Sequence, residues 1–237
     1  MSDTLHPATR LERIEGISNA EFLERYAGPG RVGLCGGNEV INRVIRKLQY
    51  HVTADGHRSP WSHAFLFSGR RLDRKHWVLE SDLDLRHKQI RLGVQENRVD
   101  RYHDESQFPN LAVLDFGLDE AQTEKVMTSG LELLSGLSQY SLRELVGTLM
   151  AMQMDGLRKR RNLFEVEGAL YCSAMVQHCY EAIGVEFVPG VDRKNVTPHD
   201  ISICPRARTA YLLVREPFDE RQSWKSTIRR VLDNASA

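Results

Sequence analysis

No run of the roughly 18 to 20 apolar residues that a bilayer-spanning helix requires occurs anywhere in the 237-residue chain. The opening residues Met1-Ser2-Asp3-Thr4-Leu5-His6 lack the basic start and apolar stretch of a secretory leader, so a cytoplasmic location is expected. Cysteine is scarce: Cys35, Cys172, Cys179 and Cys204 are too few and too irregularly spaced for a disulfide framework, and no CxxC pair occurs. An excess of charge is missing as well. Lysine and arginine number 32, as do aspartate and glutamate, and the pI near 7.1 argues against a protein that holds a polyanion by bulk charge. Nucleic acid is therefore not expected as a partner. Gly33-Leu34-Cys35-Gly36-Gly37-Asn38 lacks the Lys-Ser/Thr ending of a phosphate loop and the spacing of a dinucleotide fingerprint, and reads as a tight strand-to-helix turn. His51, His57 and His63, spaced by six, match no familiar metal pattern, so neither a metal nor another cofactor is expected.

What is present reads as α+β. Residues 1–18 are polar and aperiodic, a loose N-terminal arm, and residues 19–237 make one domain. A short helix over Asn19–Tyr26 ends at Gly28-Pro29-Gly30. A strand over Arg31–Cys35 leads into a helix carrying Val40, Ile41, Val44, Ile45 and Leu48 on one face. Strands follow at Ser62–Phe67, His76–Ser81, about 87–102 as one strand or a pair, and Leu111–Phe116, joined by short connections as in an antiparallel sheet. The character changes at Asp119. Helices are predicted over 119–135 and 141–161, making a helical insertion around 119–168. A third covers Tyr171–Ile183 and stops at Gly184. Short strands at Val185–Val188, Ile201–Ile203 and Tyr211–Val214, and a helix over Ser223–Leu232, complete the order.

Cys172 stands at the start of a predicted helix, where unpaired N–H groups and the positive end of the dipole favour a thiolate and can stabilise an oxyanion. The plainer reading is a small core residue, as Cys179 two turns on suggests. His63 gains a partner if Ser62–Phe67 and His76–Ser81 form a hairpin. With Phe67 opposite His76 and Phe65 opposite Val78, His63 faces Glu80 on the same side of the sheet. A carboxylate there would fix the imidazole tautomer, although such a pair is also an ordinary sheet stabiliser.

The segment Ser59-Pro60-Trp61-Ser62-His63-Ala64-Phe65-Leu66, the Val78-Leu79-Glu80 strand and Leu170-Tyr171-Cys172-Ser173-Ala174-Met175-Val176 followed by Gly184 together resemble the permuted papain-fold hydrolases of the NlpC class, in particular the YiiX-like branch. Gln139-Tyr140-Ser141-Leu142-Arg143-Glu144-Leu145 and Asn195-Val196-Thr197-Pro198-His199-Asp200-Ile201 are similar to that group too, so the resemblance spans about 30–204. It departs at Ala174, where members often carry glutamate, and in the long basic stretch 146–168. The resemblance implies a circularly permuted papain-like fold with an antiparallel sheet packed against helices. Cys172 would be the nucleophile, His63 its base and Glu80 the residue orienting His63. The Cys172 N–H would serve the oxyanion, and Tyr171 and Ser62 would stand at the substrate or oxyanion side.

The expected activity is thus that of a thiol-dependent amidase or peptidase working through an acyl-enzyme, on a peptide, lipopeptide or lipid acyl substrate. An acyltransferase or lipid deacylase on the same fold, and a catalytically silent binding module, are the alternatives. The basic run Arg158-Lys159-Arg160-Arg161 reads as a solvated helix end or an anion-docking patch, and Met150, Met152 and Met154 as core positions of the same helix. Nothing in the sequence speaks to the oligomeric state.

Overall fold

The computed structural model describes residues 10–37, 59–81, 94–136, 172–206 and 208–215. The predicted helices at 38–48, 141–161 and 223–232, together with Tyr171, His51, His57, the methionine trio and the basic run, lie outside the described residues. Among those described, no helix is long and apolar enough to cross a membrane.

A seven-stranded sheet organises the molecule. Its strands are β1 (Arg10–Arg13), β2 (Val32–Gly36), β3 (His63–Arg70), β4 (His76–Ser81), β5 (Val94–Arg98), β6 (Asn110–Asp115) and β7 (Thr209–Val214), in the order β1-β7-β6-β2-β3-β4-β5. Every neighbouring pair is antiparallel except β1 with β7. Among the described residues four α-helices flank it: α1 (Asn19–Tyr26), α2 (Glu120–Ser135), α3 (Cys172–Glu181) and α4 (Pro198–Ser202). The expected α+β class and antiparallel sheet are therefore present.

Strand alternation divides the interior in two. Val32, Leu34, Ala64, Leu66, Leu79, Ala112 and Leu114 face α2 and α3, where they meet Val126, Met175, Val176, Cys179 and Tyr180. Cys35, Phe65, Phe67, Val78, Leu111 and Val113 point to the other side and pack with Phe22 and Leu23 of α1 and with Val99, Tyr102 and Phe108. With both faces covered, β2 is buried along its whole length.

Helix starts follow local chemistry. Ser18 caps α1 by accepting from the Glu21 N–H, and Asp119 forms a reciprocal capping box with Gln122 ahead of α2. Gly184 follows α3 with φ of 70°, a left-handed conformation suited to glycine.

Four expectations need correcting. The arm is not wholly loose: Arg10–Arg13 is an edge strand whose backbone pairs with β7, which needs no apolar alternation. The strand expected around 87–102 is described only from Val94, ends at Arg98 and passes into a 3₁₀ turn over Val99–Tyr102. Val185–Val188 forms no strand, its loop being tied instead to α3 through the Gln177 amide, which donates to the Val185 carbonyl and accepts the Phe187 N–H. Ile201–Ile203 likewise forms no strand. Thr197 and Asp200 make a capping box around Pro198, and those residues belong to α4 and its end.

Candidate active site

His63 is the first residue of β3, and the chain reaches it along a closely held path. The Pro60 carbonyl passes so near Gly36 that an added Cβ there would lie 2.0 Å from its oxygen. The Ser62 N–H donates to the Cys35 carbonyl at 2.8 Å. Its hydroxyl donates to that same oxygen at 3.2 Å and accepts the Gly37 N–H at 3.0 Å. Ser62 is thereby buried and engaged in joining β2 to β3. His63 itself stands directly opposite Cys35.

The expected register between β3 and β4 is wrong by two residues. Glu80 lies opposite Phe65, Phe67 opposite Val78, and an irregularity between Phe67 and Gly69 restores pairing as far as Arg70 with His76. A slip of two keeps every side chain on its face, so Glu80 still shares a face with His63, now diagonally. The imidazole Nε2 and the Glu80 Oε2 are 2.8 Å apart.

Glu80 is fully buried and receives three further donors. The Asn97 amide donates to Oε1 at 2.8 Å, the Arg101 guanidinium donates to the same oxygen, and the Tyr102 hydroxyl donates to Oε2. Burial by itself would raise this carboxyl's pKa. The His63 hydrogen bond, the Arg101 charge, the His63 charge and the Tyr102 hydroxyl outweigh it and hold Glu80 at about 2, from an ordinary 4.5. An ionised carboxylate accepts and cannot donate, so the shared proton belongs to His63 Nε2. In neutral His63 the basic lone pair then lies on Nδ1.

Aromatic stacking fixes this group. The Tyr102 ring lies 4.5 Å from that of Phe65 at 11° between planes, and stacks at 6.4 Å with His63. The Tyr102 carbonyl accepts from the buried Asn19 amide, which also donates to the Phe108 carbonyl. Asn97, Arg101 and Tyr102 escaped the sequence reading because they follow one another across a strand end and a 3₁₀ turn that residue periodicity does not reveal.

Cys172 opens α3, as expected, and is half-buried, whereas Cys35, Cys179 and Cys204 are buried. Burial pushes the Cys179 thiol up to about 12 and raises that of Cys204. The body of α3 packs on the sheet face opposite to the one carrying His63 and Glu80. Its direction is set by contacts near both ends. At the C-terminal end the Tyr180 hydroxyl donates to the Gly30 carbonyl at 2.7 Å, just before β2 begins. At the N-terminal end the Ser173 hydroxyl donates to the Val196 carbonyl at 2.5 Å, and three residues further on His199 Nδ1 lies 3.4 Å from the Ser59 hydroxyl. The first turn of α3 thus points toward the end of the sheet where β2 finishes and β3 begins. Tyr171 lies outside the described residues.

Among the described residues no three of His, Cys, Asp and Glu converge as a metal site.

No protein-family model and no curated protein sequence matches the chain. Among solved structures it is similar to the crystal structure of metalloprotein yiiX from Escherichia coli O157:H7. The two share 15% identity with a TM-score of 0.50, covering 82% of this chain and 99% of that one. At that identity the likeness is one of fold alone. The chain therefore has a YiiX-like α+β architecture.

Proposed function

We propose that this protein is a thiol-dependent hydrolase of the permuted papain, NlpC-like type, cleaving an amide in a peptide or lipopeptide through an acyl-enzyme. The observation that carries the reading is the buried His63–Glu80 pair, whose geometry turns Nδ1 into the basic nitrogen. Support comes also from Cys172, the least buried of the four thiols, at the start of a ten-residue helix directed toward the same end of the sheet.

The chemistry runs as two proton-balanced half-reactions. Cys172 gives its proton to His63 Nδ1, and the thiolate adds to the substrate carbonyl while the developing oxyanion takes a hydrogen bond from the Cys172 N–H. The C–N bond breaks as Nδ1–H protonates the departing amine, leaving a thioester. Water, deprotonated by the same nitrogen, then adds to the thioester, and the sulfur leaves with the proton returned from His63. Glu80 remains anionic throughout and steadies each imidazolium. Replacing water by an alcohol or amine acceptor converts the scheme to acyl transfer without moving any residue.

Alkylation tests the reading without a known substrate. With iodoacetamide near neutral pH and peptide mapping by mass spectrometry, Cys172 is expected to react well ahead of Cys35, Cys179 and Cys204. H63A should slow it by about 10²-fold or more, in the range of a lost general base. Equal labelling of all four thiols, or a rate indifferent to H63A, rejects the hydrolase and leaves a binding module. A panel of acyl amides and esters, scored for Cys172-dependent release and for transfer to added alcohols, then identifies the bond and the acceptor.

A further inference from the structure

A base held by a carboxylate needs only one donor, yet Glu80 has four. Two of them, Arg101 and Asn97, engage Oε1, the oxygen turned away from His63. The other added donor, the Tyr102 hydroxyl, shares Oε2 with the imidazole. The three help to keep Glu80 ionised, while the tautomer of His63 follows from its own bond to Oε2. What they change is the amount of negative charge that the imidazole meets, because each draws on the same carboxylate in a site that excludes water.

We propose that Arg101, seconded by Tyr102 and Asn97, is a positioning residue that acts through Glu80, neutralising part of its charge and so limiting how tightly His63 holds a proton. The inference rests on the reading of His63 as the base. Its physical content is a balance. A bare buried carboxylate beside His63 would lock the imidazolium in place, and a locked imidazolium is a poor donor to a leaving group. A guanidinium on the far oxygen keeps the carboxylate ionised while drawing its field away from the ring. Among the described residues, the titratable or charged groups bearing on His63 include Cys35 across from it on β2, Glu80 on β4, and Arg101 and Tyr102 of the 3₁₀ turn. Cys172 joins them under the proposed mechanism. Glu80 places its carboxylate on the ring and also receives Arg101, so it links the two.

The test is the pH dependence of Cys172 alkylation by iodoacetamide in the full chain, followed from about pH 4 to pH 10 by peptide mapping, a span that brackets histidine ionisation. The inflection abolished by H63A is the one that reports His63. In R101Q it should move upward by about one pH unit, the scale for removing a nearby, partly buried charge. R101K, which restores the cation, should lie close to the unmodified protein. Y102F keeps the ring stacking and should move the inflection the same way by less, so it carries the test should R101Q fail to fold. E80Q should move it downward, and in the E80Q background R101Q should have no further effect, since the shared carboxylate charge is gone.

An inflection left in place by both R101Q and Y102F, in proteins that retain their circular dichroism, overturns the proposal and makes Arg101 a structural contact. An R101Q shift that survives in the E80Q background also overturns it, because the effect would not pass through Glu80. Absence of any His63-dependent inflection in the unmodified protein has a different meaning, removing the hydrolase reading itself and the inference with it.

Discussion

Gly33 of β2 lies directly across from Phe65 of β3, and the phenyl ring occupies the place where a side chain on Gly33 would begin. A Cβ built there would sit 2.0 Å from the ring. Phe65 in turn stacks on Tyr102, whose hydroxyl donates to Glu80. Gly33→Ala is therefore expected to displace Phe65, costing about 1 to 3 kcal/mol as an overpacked core position does. The disturbance should also pass to the Glu80 carboxylate. Denaturant unfolding measures the first effect and Cys172 alkylation the second, and a variant of native stability with native labelling would refute the close approach.

Acid should loosen the protein through Glu80. Its pKa is about 2 when folded against an ordinary 4.5, so the unfolded chain binds the proton more readily and the folded state gains stability above the unfolded pKa. That contribution, on the order of 3 kcal/mol from the size of the shift, is present above about pH 4.5 and drains away as the pH falls toward 2. Equilibrium unfolding between pH 6 and pH 2 should show the loss, and E80Q should flatten it. A stability curve of the same slope in E80Q would assign acid sensitivity elsewhere.

His76, the first residue of β4, is buried with neither ring nitrogen hydrogen-bonded among the described residues, and a Glu24 carboxylate oxygen lies 3.8 Å from it. Burial pulls its pKa down first, Arg70 adds to the effect, and Glu24 opposes both. Protonation therefore disfavours the fold: stability is whole above the ordinary 6.5 and falls as the pH drops through the lower folded value. His76→Phe, which fills the same space without a polar ring, should hold or raise stability at neutral pH and remove this loss near pH 6. Thermal melts of both proteins at pH 7.5 and pH 5.5 decide it, and an unchanged difference between the two pH values counts against His76.

How far the sequence reached depends on the kind of signal each element carries. The span of α1, the helix starting at about Asp119 and the helix opening at Cys172 are local, set by neighbouring residues, and all three are found where expected. The association of His63 with Glu80 was legible because it depends on which face each occupies, and faces survive a slip of two. The register was not legible. Ser68 and Gly69 read as loop, whereas β3 runs on to Arg70 through an irregularity at Gly69, whose φ of 99° suits glycine. β1 gave no apolar signal because an edge strand is held through its backbone. α4 carries a legible signal, since Thr197-Pro198 followed by Asp200 spells a capping box, but its short apolar content reads equally as a strand.

The division of the interior by the sheet has a consequence for how the proposed site would fail. His63 and Glu80 are seated on the side of the sheet whose core is shared with α1, while Cys172 is carried by a helix anchored in the separate core on the reverse side. Base and nucleophile thus rest on separate foundations joined by a single layer of backbone. Loosening one foundation can leave the other standing, so damage remote from the chemistry should separate the partners before either loses its own local structure.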